Sequence, residues 1–125
     1  MTAAYASLDV LLYHGSDLES LENLFNGQPL NAAVAATLHQ NGSPGFYMAV
    51  LRDDAEYFGA RRSGGVVTIE IEDDAVGELT TRGARRQPIP MTPMSARFEG
   101  DEFFVPVDLF DVFNALREQG RIHVY

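Results

Sequence analysis

The chain has 125 residues, enough for a single domain spanning 1–125 that buries roughly two thirds of its unfolded surface without staples. Its composition, 46% hydrophobic and 22% charged, is that of a globular protein, and the lack of cysteine excludes disulfides and thiolate chemistry. A formal charge of −9 argues against a general binder of nucleic acid or acidic membrane, which needs a cationic face.

Met1 to Leu12 carries no basic residue and includes Asp9, so no secretory signal is expected. No apolar run approaches the ~18 residues of a membrane span. The expected location is the cytoplasm, or a target cell reached by a route without such a signal.

Asp9 to Tyr13 predicts a short strand. Ser16 then has the character of a helix N-cap, with Glu19 completing a capping box. Leu18, Leu21, Leu24 and Phe25 fall on one helical face, and Gly27 ends the run. Asn31 is placed to cap a second helix, Ala32 to Leu38. Gln40 to Pro44 predicts a loop by its Asn-Gly and Ser-Pro content.

Gly45 to Ala49 predicts a strand. Asp53 or Asp54 is placed to cap a helix reaching about Arg62, broken by Gly64-Gly65. Val66 to Glu72 alternates, with Val67, Ile69 and Ile71 on one face, as a half-buried antiparallel strand does. Residues 73–81 are ambiguous. Residues 82–100, with Pro88, Pro90 and Pro93, show no periodicity and predict a long ordered loop of the kind that usually carries function.

Glu102 to Val107 predicts a strand with Phe103, Val105 and Val107 on one face and Glu102 on the other. Asp108 is placed to cap a helix with an apolar face of Leu109, Val112, Phe113 and Leu116, stopped by Gly120. Ile122 and Val124 suggest a last strand. Too little helix separates the strands for a βαβ sheet, so the expected class is α+β with antiparallel strands.

The charge is uneven. There is no lysine, and between Glu78 and Glu99 there is no acid, while Arg82, Arg85, Arg86 and Arg97 lie there as a basic island. A solvated loop that balances acidic neighbours is the plain reading of it.

Several enzyme classes lack their motifs. The chain has no Gly-x-Ser-x-Gly, and no Walker-type loop, which needs a lysine. His14, His39 and His123 are isolated, with no metal-ligand spacing. What remains is a histidine, a tyrosine and a glutamate, each at an element boundary: Tyr13-His14-Gly15-Ser16, Gly45-Phe46-Tyr47-Met48-Ala49 and Asp101-Glu102-Phe103-Phe104-Val105.

In that order the three stretches resemble the sequential motifs of the ADP-ribosyltransferases of the His-Tyr-Glu class, to which diphtheria-toxin-like enzymes and poly-ADP-ribose polymerases belong. The resemblance brackets nearly the whole chain. It implies a compact α+β domain of split antiparallel β-sheets with flanking short helices, and NAD as co-substrate with no metal. It also implies transfer of ADP-ribose to a macromolecular acceptor, most naturally protein, with nicotinamide released. When water is the acceptor, NAD glycohydrolysis follows. Small stand-alone members are often toxins or effectors, which implies an immunity partner.

The chemistry agrees. Cleaving the nicotinamide–ribose bond develops positive charge at the anomeric carbon, which a fixed carboxylate, Glu102, would stabilise. Tyr47 would be the aromatic platform for nicotinamide. By resemblance, Gly15 backbone groups bond the carboxamide, His14 bonds a ribose hydroxyl, Ser16 assists, and Tyr57 is the second tyrosine of the nicotinamide sandwich. Arg82, Arg85, Arg86 and Arg97 would select an anionic acceptor or hold the pyrophosphate.

Two positions depart from the family. Gly100 stands where arginine-modifying relatives carry Glu or Gln, which disfavours arginine as acceptor. Asp54 stands where the polymerases carry a carboxamide-binding serine. Each site residue also has a plain alternative: His14, Tyr47 and Tyr57 as core residues, Glu102 as a solvated strand-end acid, His39 and His123 as structural or surface residues. The competing functions are a non-catalytic NAD or ADP-ribose-binding module, an acidic protein-interaction module, and an RNA 2′-phosphotransferase. The last shares a Tyr-His-Gly-Thr-like start but not the Gly-Phe-Tyr turn or Glu102.

Overall fold

A computed structural model describes residues 9–33, 44–89 and 98–125. In chain order these form β1 (Val10–Ser16), α1 (Leu18–Phe25), β2 (Gly45–Ala49), α2 (Arg52–Arg61), β3 (Gly65–Ile71), α3 (Asp73–Arg82), β4 (Arg85–Pro88) and β5 (Asp101–Pro106). A 3₁₀ turn (Val107–Leu109), α4 (Phe110–Glu118) and β6 (Ile122–Val124) complete the chain. The class is α+β. The six strands form one sheet in the order β4-β5-β2-β1-β3-β6, every neighbouring pair antiparallel.

The pairing is uneven. β1 lies in register with β3 from Val10↔Ile71 to Ser16↔Gly65, and β2 with β5 from Gly45↔Pro106 to Ala49↔Glu102. Between β1 and β2, the only pair is Tyr13↔Ala49. The sheet is therefore two three-stranded halves, β4-β5-β2 and β1-β3-β6, joined at a seam.

Alternation along the strands gives the sheet two unequal faces. Leu12, Phe46, Met48, Val67, Ile69, Ile71, Phe103 and Val105 face α1, α3 and α4, which contribute Leu21, Leu24, Ala75, Leu79, Phe110, Phe113 and Leu116 to one large core. The other face is covered by α2. There Ala49, Ala55 and Ile89 form a small cluster with Tyr13, Val66 and Phe98 packed against it. The predicted inward sets of β3 and β5 are the observed ones, except that Val107 belongs to the 3₁₀ turn.

Four local expectations are corrected. β1 runs on to Ser16, which still pairs with Gly65, so the cap of α1 moves to Asp17. The Asp17 carboxylate accepts from the Ser20 amide at 3.0 Å and the Ser20 hydroxyl at 2.7 Å, so the box partner is Ser20 rather than Glu19. α2 begins after Leu51 with no side-chain cap, and neither Asp53 nor Asp54 serves as one. The helix Phe110–Glu118 likewise follows Leu109 with no side-chain cap, Asp108 lying exposed in the 3₁₀ turn.

The ambiguous stretch 73–81 is helix α3. Asp73 and Asp74 suit its first turn electrostatically, Ala75 and Leu79 are buried, and Gly83 at φ +129° stops it. Gly77 and the Thr80-Thr81 pair hide it from propensity. The predicted loop 82–100 contains strand β4, and Arg82 belongs to α3. β4 has no apolar alternation because it is an edge strand held by backbone pairing, and it closes at Pro88, which edges tolerate. The predicted helix Ala32 to Leu38 lies mostly outside the described residues. At its start, Asn31 Oδ1 accepts from the Ala33 amide at 2.9 Å.

Candidate functional site

Glu102 is the second residue of β5 and is only 5% exposed. It sits in a cross-strand row with Gln87 on β4, Ala49 on β2 and Tyr13 on β1. Directly opposed residues share a face, so the Glu102 side chain lies on the α2 side of the sheet. Tyr47, two residues before Ala49, shares that face, as does Phe104. Their rings lie 4.7 Å apart. Glu102 is thus a buried carboxylate inside the sheet, not a solvated strand-end acid.

Among the described residues one donor serves that carboxylate: Gln87 Nε2, 2.7 Å from Oε2. Burial raises the Glu102 pKa above the ordinary carboxylate range, and the Gln87 bond partly offsets this. The Tyr47 pKa is raised too, by burial first and then by the Glu102 charge, with Arg85 opposing. Sequence reasoning missed Gln87. Nothing in its neighbourhood marks it, because its role comes from register alone.

The basic island divides. Arg85 opposes Phe104 and lies on the Glu102 face, its guanidinium 5.0 Å from the Phe104 ring centre, with Nε donating to Gln87 Oε1 at 3.0 Å. Arg86 points the other way by alternation and pairs with Asp101 at 2.7 Å. Arg82 pairs with Glu78 at 3.8 Å. Arg97 lies outside the described residues. Of the four arginines singled out in the sequence, Arg85 is the one the described structure places beside Glu102.

His14 is not on that face. It opposes Val67, a residue of the large core, and its ring lies 4.3 Å from Phe46. Its Nδ1 is 2.8 Å from the Tyr47 carbonyl oxygen, across the seam. A carbonyl only accepts, so Nδ1 carries the proton and Nε2 of the neutral ring is left as an acceptor. Burial lowers the His14 pKa, with the Tyr47 carbonyl opposing, so the ring is neutral at physiological pH. His14 and Tyr47 therefore meet through the Tyr47 backbone at the seam, not side chain to side chain on one face.

Gly15 has a packing reason to be glycine. A Cβ there would collide with the Ala55 carbonyl oxygen and lie 2.8 Å from the Gly59 amide nitrogen, both on α2. Ser16 is buried, and its hydroxyl donates to Asp17 Oδ1 at 3.1 Å. Tyr57 packs edge-on to Phe98 at 5.2 Å and to Phe58 at 5.6 Å, and its hydroxyl accepts from Arg61 at 3.2 Å. Phe58, unremarked in the sequence, stacks on Phe98 at 5.1 Å while remaining 36% exposed.

Asp54 holds the chain that leads into β5. Buried at 5% exposure, it accepts from the Gly100 amide at 2.9 Å and the Glu99 amide at 3.3 Å. Gly100 fits there because it lacks a side chain: a Cβ would come within 2.7 Å of Leu51 and 3.2 Å of Asp54 Oδ2. Asp54→Asn keeps the shape but removes the charge and one acceptor. Urea denaturation is expected to show a loss of about 1–2 kcal/mol, and an unchanged midpoint would remove this role.

No group of three or more potential metal ligands occurs among the described residues, and no helix among them is long and apolar enough to cross a membrane. No family model, curated protein or solved structure matches the chain.

Proposed function

We propose that the chain is an NAD-dependent mono-ADP-ribosyltransferase acting on a macromolecular acceptor. The observation that carries the reading is Glu102: a carboxylate only 5% exposed, with one hydrogen-bond donor among the described residues, on the same face as Tyr47. An under-satisfied buried carboxylate beside an aromatic ring is costly to the fold and suited to a developing cation. The strands form one six-stranded sheet rather than separate sheets, and the short β1–β2 join at its centre supports the reading to the extent that it sets two three-stranded halves apart.

The residues fit NAD in part. Glu102 would stabilise positive charge at the anomeric carbon, and Tyr47 would offer its ring to nicotinamide. His14 Nε2 is left as an acceptor, but the ring lies on the large-core face, away from the Glu102 and Tyr47 side chains, which weakens its proposed contact with a ribose hydroxyl. Ser16 and Tyr57 are tied to neighbours in the protein, which weakens their proposed contacts. NAD supplies the activated glycosidic bond, and the chain supplies position and charge.

Arg85 favours an acceptor with an anionic group, most naturally on a protein. The setting we propose is a toxin or effector acting in the cytoplasm, countered by an immunity partner.

A second reading has its own support. His14 faces the core, and packing alone accounts for Gly15, as expected of a binding module that has no catalysis. Two measurements separate the readings. NAD at 1 mM raises the melting temperature if either holds, and does not if the chain is a ligand-free interaction module. Nicotinamide release from NAD incubated with cell lysate is expected only for the enzyme. Its absence, with the thermal shift retained, would leave the binding module.

A further inference from the structure

We infer that Gln87, clamped by Arg85, is a positioning residue that keeps the Glu102 carboxylate ionised and fixed in one orientation. This rests on Glu102 being the functional carboxylate. The argument begins with register. Gln87 on β4 stands directly opposite Glu102 on β5, and Arg85 stands opposite Phe104, all on the α2 side of the sheet. The Gln87 amide is used at both ends: Nε2 donates to Glu102 Oε2 at 2.7 Å, and Oε1 accepts from Arg85 Nε at 3.0 Å.

The second bond fixes the first. An amide that is free to flip can present either its oxygen or its nitrogen to a carboxylate, and oxygen facing carboxylate is repulsive. The Arg85 N–H accepts no hydrogen bond, so it holds the Gln87 oxygen on its own side and turns the NH₂ toward Glu102. Arg85 is itself held over the Phe104 ring, which lies beside Tyr47. The arrangement passes from a half-exposed edge strand to a buried carboxylate without a charge-to-charge contact. Direct pairing of Arg85 with Glu102 would neutralise the carboxylate and weaken its pull on a cation. The amide between them gives a neutral donor that orients without neutralising.

The causes that bear on Glu102 ionisation are its burial and the Gln87 bond. Of the charged groups on the packed elements, Arg85 on β4 is engaged with Gln87, and Asp54 on α2 is occupied by the Glu99 and Gly100 amides. Neither touches the Glu102 oxygens among the described residues, so the Gln87 bond is the contact to remove.

The test uses Gln87→Leu, similar in size and without a donor, in the full chain. The first readout needs no catalysis. Glu102→Gln is compared with Glu102 by thermal melting from pH 4 to 9, in the wild-type and the Gln87→Leu backgrounds. The advantage of glutamine at position 102 is expected to be larger, and to keep growing to higher pH, when residue 87 is leucine. Superimposable difference curves would overturn the inference, whether or not the chain is a transferase.

The second readout is nicotinamide release. Gln87→Leu is expected to lower kcat on the order of 10-fold or more, with KM for NAD within about twofold. A change confined to KM would also overturn it. Arg85→Gln leaves Gln87 in place while freeing its oxygen and removing the guanidinium over Phe104, so it gives a smaller shift of the same sign. If Gln87→Leu fails to fold, Arg85→Gln carries both readouts, and no shift in it would overturn the inference.

Discussion

Glu102→Gln is expected to lower nicotinamide release at least about 100-fold while making the protein more stable, by roughly 0.5–2 kcal/mol at pH 8. The two effects have one cause. Burial raises the Glu102 pKa above its ordinary 4.5, so the fold disfavours the ionised side chain. A group with a raised pKa contributes its stability below the unfolded value and loses it as pH rises. Above that range the wild type holds a buried charge, with Gln87 as its donor. Glutamine has the same shape, keeps an oxygen for Gln87 to bond, and carries no charge. The gain is therefore expected to vanish near pH 4 and to grow toward pH 8. Thermal melts across that range read it directly. A lower melting temperature at pH 8, or a wild-type rate of release, would contradict the assignment of Glu102 as a buried functional carboxylate.

Gly15→Ala is expected to cost about 3 kcal/mol, a fall in melting temperature on the order of 10 °C. Overpacking is usually milder because side chains give way. Here the methyl group meets the Ala55 carbonyl oxygen and approaches the Ala55 carbonyl carbon and the Gly59 nitrogen, all backbone of α2. Relief requires the helix to lift from β1 and β3. Gly64→Ala is expected to behave alike, since its Cβ would collide with the Ser16 carbonyl oxygen. Scanning calorimetry of both variants checks this, and a change within about 2 °C would refute the packing role. Activity loss in Gly15→Ala therefore carries no information about a carboxamide contact by Gly15.

Much of the fold was legible because its signals are local and periodic. Val67, Ile69 and Ile71 alternate in sequence and are buried in the structure. Leu21 and Leu24 mark α1, and Phe113 and Leu116 mark α4, by helical spacing. The misses were tertiary. β4 carries no apolar alternation and exists because β5 offers it a ladder, which no property of Arg85 to Pro88 announces. The cap of α1 moved by one residue because pairing with Gly65 keeps Ser16 in the strand.

The candidate site divides the same way. Glu102 and Tyr47 stood out as motif residues, and the register puts them on one face. The alternation that unites them puts His14 on the other face, and only strand pairing could reveal that. Gln87 and Asp54 act through residues distant in sequence, at Glu102 and Gly100. Their partners were invisible to a reading along the chain.

The seam has a consequence for motion. Most sheets resist opening at their centre because each strand pair is a ladder of backbone bonds that must break together. Here the central join is one residue pair and one imidazole-to-carbonyl bond. Parting there would leave both three-stranded ribbons internally paired, but it would have to tear the core in which Leu12, Val67 and Ile69 pack with Phe46, Met48 and Val105, and pull α2 off β1 and β2. The middle of this sheet is therefore held by side-chain packing more than by a backbone ladder, with the His14 ring bonded across it to the Tyr47 carbonyl.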